Sequence, residues 1–215
     1  MKTCGKRFTL IELLVVISIM GILASLLFPA LMKAKAAGAR TTCAGNMSQV
    51  GKMILMYSDD SGGYLIPDNS CRCSVSLNYW FWKLSEDYMG AQRPTRPGTV
   101  FDCPSNPTPY SAYHMKMGLN ADIEYGSAGT SVIKKYGQIP QRTVILGDSY
   151  GRYLRPASFG VYWTDYFNPG ALSGPNGMCP AFVHSNGLNL MYADSHVEWK
   201  KRANLLKSEF TFAND

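Results

Sequence analysis

Three histidines, six cysteines and fifteen acidic residues are the groups in this 215-residue chain best suited to metal, nucleophile or proton chemistry. Such chemistry needs them at particular spacings. Cys71-Arg72-Cys73 is a lone C-x-C, whereas zinc motifs come as paired Cys/His groups. No G-x-S-x-G, H-E-x-x-H or phosphate-binding loop occurs. Of His114, His184 and His196, the last two fall on one face of an expected hairpin, but roughly 15 Å apart at ordinary strand spacings. That is too far for one ion. The spacings therefore predict no catalytic centre, no resident metal and no cofactor. The residue that most needs explaining is Glu12, the single charge inside the apolar run "FTLIELLVVISIMGILASLLF". A carboxylate in hydrocarbon is costly and calls for a partner.

The element that must carry Glu12 is a helix. From Phe8 to Phe28 it would extend about 31 Å, the thickness of a bilayer's hydrocarbon core. A cleaved signal with an A-x-A-like site at Ala34-Lys35-Ala36 is the competitor, but this run is longer than a signal core and carries a charge. A retained helix is favoured. Pro29 predicts a kink, and the helical pattern then continues through an Ala- and Lys-rich stretch. Cys43, Met47, Val50, Ile54 and Tyr57 follow at steps of four and three, one apolar stripe on one helix face. The turn residues of Asp59-Asp60-Ser61-Gly62-Gly63 end it near Ser58. The expected organisation is a basic leader-like segment (1–7), a membrane helix (8–31), its amphipathic continuation (32–58) and a globular α+β domain (59–215).

The C-terminal domain reads as a sheet. In "AFVHSNGLNLMYADSHVEW", Asn186-Gly187 and Asp194-Ser195 taken as two-residue turns give a three-strand meander. His184 then faces Asn189, Val183 faces Leu190, Tyr192 faces Val197 and Leu190 faces Trp199. Val183, Leu190, Tyr192, Val197 and Trp199 form the core face, with the 43–57 stripe as cover. His184, Asn189, His196, Glu198 and Lys200 form the other. Trp80, Leu84 and Tyr88 predict a short helix ending at Gly90, and Val100–Asp102 and Thr143–Leu146 predict short strands. The Pro-containing stretches 93–109 and 168–180 read as loops.

Composition narrows the partners. At 46% hydrophobic and 17% charged, the chain suits a globular body rather than a long disordered one. Its net charge of +6 includes Lys2, Lys6 and Arg7 ahead of the apolar run, and no Lys/Arg cluster with interleaved aromatics marks a nucleic-acid surface. Membrane lipid is the expected partner. Beyond the membrane, disulfides persist. Cys43 on the core stripe and Cys103 after a short apolar strand form the first candidate pair, and Cys179 with Cys71 or Cys73 the second. Reduced buried thiols are the other reading.

"RFTLIELLVVIS" resembles the N-terminal methylation segment of type IV pilins and type II secretion pseudopilins. The resemblance implies cleavage by a prepilin peptidase between Arg7 and Phe8, methylation of the new amine, and Glu12 as the fifth mature residue. That family's leader ends in Gly, where this chain has Arg7. Glu12 would neutralise a neighbour's N-terminal ammonium on assembly, and Pro29 falls where the family kinks its helix. His184 and Asp194 resemble the H-x9-DG segment of pilin-like bacterial proteins, with Ser195 in place of Gly. "CAGNMSQVGKMILMYSDDSGGYLIP", "FDCPSN" and "RTVILGDS" resemble the same group.

Together these imply a pilin-like α+β fold, a long N-terminal helix on an antiparallel sheet. The implied function is a structural subunit of a type IV pilus-like or type II secretion pseudopilus-like filament. The implied partners are other copies, other pilin-like subunits, the peptidase and inner-membrane assembly machinery. The chain would cross the inner membrane once, with a cytoplasmic N-terminus and a periplasmic or extracellular C-terminal domain. Some pseudopilins bind calcium near their C-terminal strands, for which Asp165, Asn168, Asn176 and Asp194 are the oxygen donors here. The alternative function is a membrane-anchored module that binds a ligand such as polysaccharide and does not polymerise.

Overall fold

The computed structural model describes residues 9–66, 80–90, 99–106, 116–120, 135–149, 153–154 and 181–210. A single helix, α1, runs from Leu10 to Asp60 with Pro29 inside it. Proline removes one ladder bond, but the good helix formers on either side carry the helix through. The chain divides into two compact units between Gly38 and Ala39.

In the first unit every described residue from Thr9 onward is exposed, including Leu10, Ile11, Leu26, Leu27 and Phe28. Apolar length and exposure make this part of α1 a candidate membrane span. Its start is a capping box. Thr9 N–H and the Thr9 hydroxyl donate to Glu12 Oε2 at 2.8 and 2.7 Å, and Glu12 N–H donates to Thr9 Oγ1 at 3.3 Å.

In the second unit α1 buries Cys43, Met47, Val50, Gly51, Met53, Ile54 and Ser58, the stripe that the three- and four-residue spacing predicts, with Tyr57 half-buried. The helix stops where Gly63 N–H donates to Ser58 O at 2.7 Å and Gly62 turns left-handed at φ 68°. That is a Schellman ending, which a glycine permits. A second helix, α2 (Trp80–Met89), ends at left-handed Gly90 and places Trp80, Phe81, Trp82 and Leu84 in the same core.

Five strands form one sheet: β1 (Met117–Asn120), β2 (Val144–Asp148), β3 (Tyr153–Leu154), β4 (Gly187–Tyr192) and β5 (Val197–Lys201), in the order β3-β1-β2-β4-β5. Neighbours are antiparallel except β1 and β3, which pair in parallel. The α+β layout is therefore as expected, but the meander is not. Residues 181–186, immediately before β4, form turn and irregular chain and no strand. The left-handed residues of the first turn are Ser185 and Asn186, and His184 and Gly187 exchange backbone hydrogen bonds at 3.1 and 3.0 Å. The turn thus sits one residue earlier than Asn186-Gly187, and β2 takes the place given to the missing strand.

The second turn holds three residues rather than two. Ser195 adopts φ 68°, Ser195 N–H donates to Tyr192 O at 2.9 Å, and Tyr192 N–H donates to His196 O at 3.0 Å. The register consequently slips by one: Met191 opposes Val197 and Asn189 opposes Trp199. A one-residue slip exchanges faces. Leu188, Leu190 and Tyr192 pack with Val144, Leu154 and Phe210 on one side, while Met191 and Val197 join the α1 and α2 core on the other. All six β4 residues are buried, so the sheet is covered on both faces there rather than on one. A bulge at Ile145 lets Val144 serve one core and Ile145 and Leu146 the other. Val100–Asp102, expected as a strand, is turn and irregular chain.

Candidate functional site

Where α1 crosses the ends of β2 and β4, buried polar side chains from four segments converge. Cys43 comes from α1 and Cys103 from the 99–106 turn. His184 comes from the turn before β4, and Asp148 ends β2. The last three of these positions are fixed by backbone. Cys103 is held by Asn106 N–H, which donates to Cys103 O at 3.0 Å, while Asn46 Nδ2 on α1 donates to Asp102 O at 3.1 Å. Beside it Lys116 pairs with Asp102 at 2.8 Å. The tight turn and the Trp199 indole, donating to His184 O at 3.0 Å, hold His184. Asp148 Oδ2 accepts the Asn189 N–H at 2.7 Å.

The ligand atoms of Cys43, Cys103 and His184 all lie within 4.8 Å of one another. Cys103 Sγ is 3.4 Å from His184 Nε2, and Asp148 Oδ2 is 3.5 Å from the same nitrogen. Cys43, Cys103 and Asp148 are fully buried and His184 nearly so. Among the described residues, His184 Nδ1, Asp148 Oδ1 and Asn189 Nδ2 have no hydrogen-bond partner, against the general rule that buried polar atoms are satisfied. Burial pushes the Asp148 carboxyl up to about 6. For His184, burial is the largest influence and opposes the charged ring, but the Cys103 thiol and Asp148 together outweigh it and raise its pKa. The Cys43 thiol, then burial, push Cys103 far above the ordinary thiol range.

This arrangement is not a nucleophile–base–orienter triad. A triad histidine uses one ring nitrogen for the nucleophile and the other for the orienting carboxylate. Here Cys103 and Asp148 both approach Nε2. The disulfide expected between Cys43 and Cys103 is a correction: the fold brings the two sulfurs together, but as free thiols beside a histidine.

The two H-x9-D residues are not brought together. His184 is buried at one end of β4, and Asp194 is exposed in the turn at the other, where its carboxylate pairs with the His196 ring. Ser195 adopts the left-handed conformation that a glycine at this motif position adopts without strain. His196 stacks on Tyr192, ring centroids 4.4 Å apart, so the two histidines do not share a face as expected. Arg7, Phe8, Cys71, Cys73, Cys179, His114, Asp165, Asn168 and Asn176 lie outside the described residues.

Asp148, its bond from Asn189 and the Thr9 cap are what the sequence reading missed. Each left a signal: an acid closing the apolar run "VILGD", an amide alternating with leucines in "LNLMY", and the Thr-x-x-Glu box in "TLIE". Compared with protein-family models, curated proteins and solved structures, the chain matches none.

Proposed function

We propose that the chain is a structural subunit of a filament of the type IV pilus or type II secretion pseudopilus kind. In this reading the exposed helix of each copy first sits in the inner membrane and then packs against those of its neighbours, with the C-terminal domain on the far side of the membrane. The observation that carries this reading is α1 itself. It continues unbroken from a bare apolar half, with no described side chain buried before Cys43, into a half that packs on the globular unit. Such a surface calls for lipid or for other apolar helices. Glu12 stands at its tip, where Thr9 and the helix N-terminus compensate the charge until a neighbour's cationic terminus takes over.

Glu12→Gln tests the assignment. Glutamine also serves at this capping position, so the variant keeps its helix start, inserts and folds while losing the charge. The expected result is normal membrane protein and a strongly reduced yield of sheared filaments. Equal filament yield from the two proteins would remove the assembly role. N-terminal sequencing of filament material is expected to begin at Phe8.

A second reading, a membrane-anchored binding module, draws on a cleft of about 440 Å³ lined by Tyr57, Asp60, Ser61, Lys83, Asp87 and Tyr88. Two tyrosine rings beside ionic groups suit a polar, sugar-like ligand. Filament-free wild-type cells would put this reading first.

A further inference from the structure

We propose that Cys43 Sγ, Cys103 Sγ and His184 Nε2 bind one zinc ion that ties α1 to the sheet, with the Asp148 carboxylate, 3.5 Å from the same ring nitrogen, turning in as the fourth ligand on binding. Tetrahedral zinc with ordinary bond lengths separates a sulfur and a nitrogen ligand by about 3.5 Å, and a nitrogen and an oxygen ligand by about 3.3 Å. The corresponding distances here are 3.4 and 3.5 Å. Two atoms approaching the same ring nitrogen is what a shared ion produces, since a neutral imidazole nitrogen cannot satisfy both as a donor and acceptor.

Burial agrees with this, and charge nearly so. Two thiolates and a carboxylate supply three negative charges against the dication's two, so the closed site carries one net negative charge, and the metal sets a cation beside the fully buried aspartate. The donor set selects the ion. Two cysteines and a histidine exclude calcium and magnesium, and the hard carboxylate oxygen favours zinc over cuprous copper. Three donors are already assembled, and with Asp148 turned in as the fourth the site has no open position, which makes it structural and not catalytic. Binding replaces the two thiol protons, so each zinc taken up releases two protons to solvent.

The test uses the full chain in detergent micelles, reduced, with zinc chloride and cobalt chloride as probes. The expected result is one ion per chain, two protons released, a thiolate-to-cobalt charge-transfer band with tetrahedral d–d bands, and a zinc-edge spectrum with two sulfur and two lighter neighbours. Cys71→Ser/Cys73→Ser and His196→Ala are expected to leave all four unchanged. Cys103→Ser and His184→Ala should weaken zinc by more than the roughly 10–100-fold that loss of an outer-shell partner costs. The wild-type spectra need no variant to fold. Absence of the cobalt bands in reduced wild-type protein would overturn the site, as would their loss in Cys71→Ser/Cys73→Ser. So would peptide mapping of protein isolated from cells that shows Cys43 and Cys103 joined to each other without metal.

Discussion

Asn120 Nδ2 donates to the carbonyl of Phe210, 90 residues further along the chain, at 3.0 Å. The same amide nitrogen donates to Val144 O at 2.8 Å, and the side chain is fully buried. One residue of β1 thus ties its neighbour β2 to the C-terminal segment that covers the second face of the sheet. Asn120→Ala removes both bonds and leaves two carbonyls in an apolar setting, at a cost of about 2–3 kcal/mol. Asn120→Asp preserves the shape but sets an acceptor against two acceptors, and is expected to be the worse of the two. Urea unfolding of the detergent-solubilised chain, followed by tryptophan fluorescence, measures both.

Gly51 on α1 leaves a notch that the Met191 thioether fills; a Cβ at position 51 would overlap the sulfur. Alanine in a helix interior is normally better than glycine by about 1 kcal/mol. Here overpacking of a fully buried methionine costs about 1–3 kcal/mol, so Gly51→Ala is expected to destabilise. In a Met191→Ala background the clash is gone, and the same substitution should become stabilising. A double-mutant cycle reads this reversal of sign directly.

Alkaline titration gives a third outcome. Burial is the main cause that raises both Tyr136 and Tyr192 to about 12. Tyr136 donates to Ala193 O at 2.7 Å, and Tyr192 donates to Glu209 Oε1 at 3.3 Å. An unfolded tyrosine ionises near 10. The folded protein therefore holds these protons longer than the unfolded chain does. The stability they contribute is full below about pH 10 and falls as pH rises towards 12. Tyrosinate absorbance should lag that of the denatured protein, and Tyr136→Phe should make the pH dependence of stability shallower.

The parts of the fold that could be read from the sequence are those set by local periodicity. Cys43, Met47, Val50 and Ile54 identify the buried face of α1, and Trp80, Leu84 and Gly90 mark α2 and its end. Strand register was not readable, because it turns on Ser195 adopting a left-handed conformation that the residue type does not announce. β1 is four residues long and contains Gly118, and β3 has only two residues, so neither carries a measurable alternation. The Cys43–Cys103–His184–Asp148 cluster eluded spacing rules for a related reason. Cys103 and His184 are 81 residues apart, and only the sheet brings them together.

The notch at Gly51 also has a mechanical meaning. Met47 and Ile54 lie on the same helix face about 6.0 and 4.5 Å from Gly51, so sliding α1 along the sheet by about one turn would carry a full side chain into the space the methionine holds. The contact behaves as a detent, with the buried Met47 and Ile54 to either side of it along the helix. Shear between α1 and the sheet within the globular unit is then resisted by interlocked side chains, which hold this part of the helix in phase with β4.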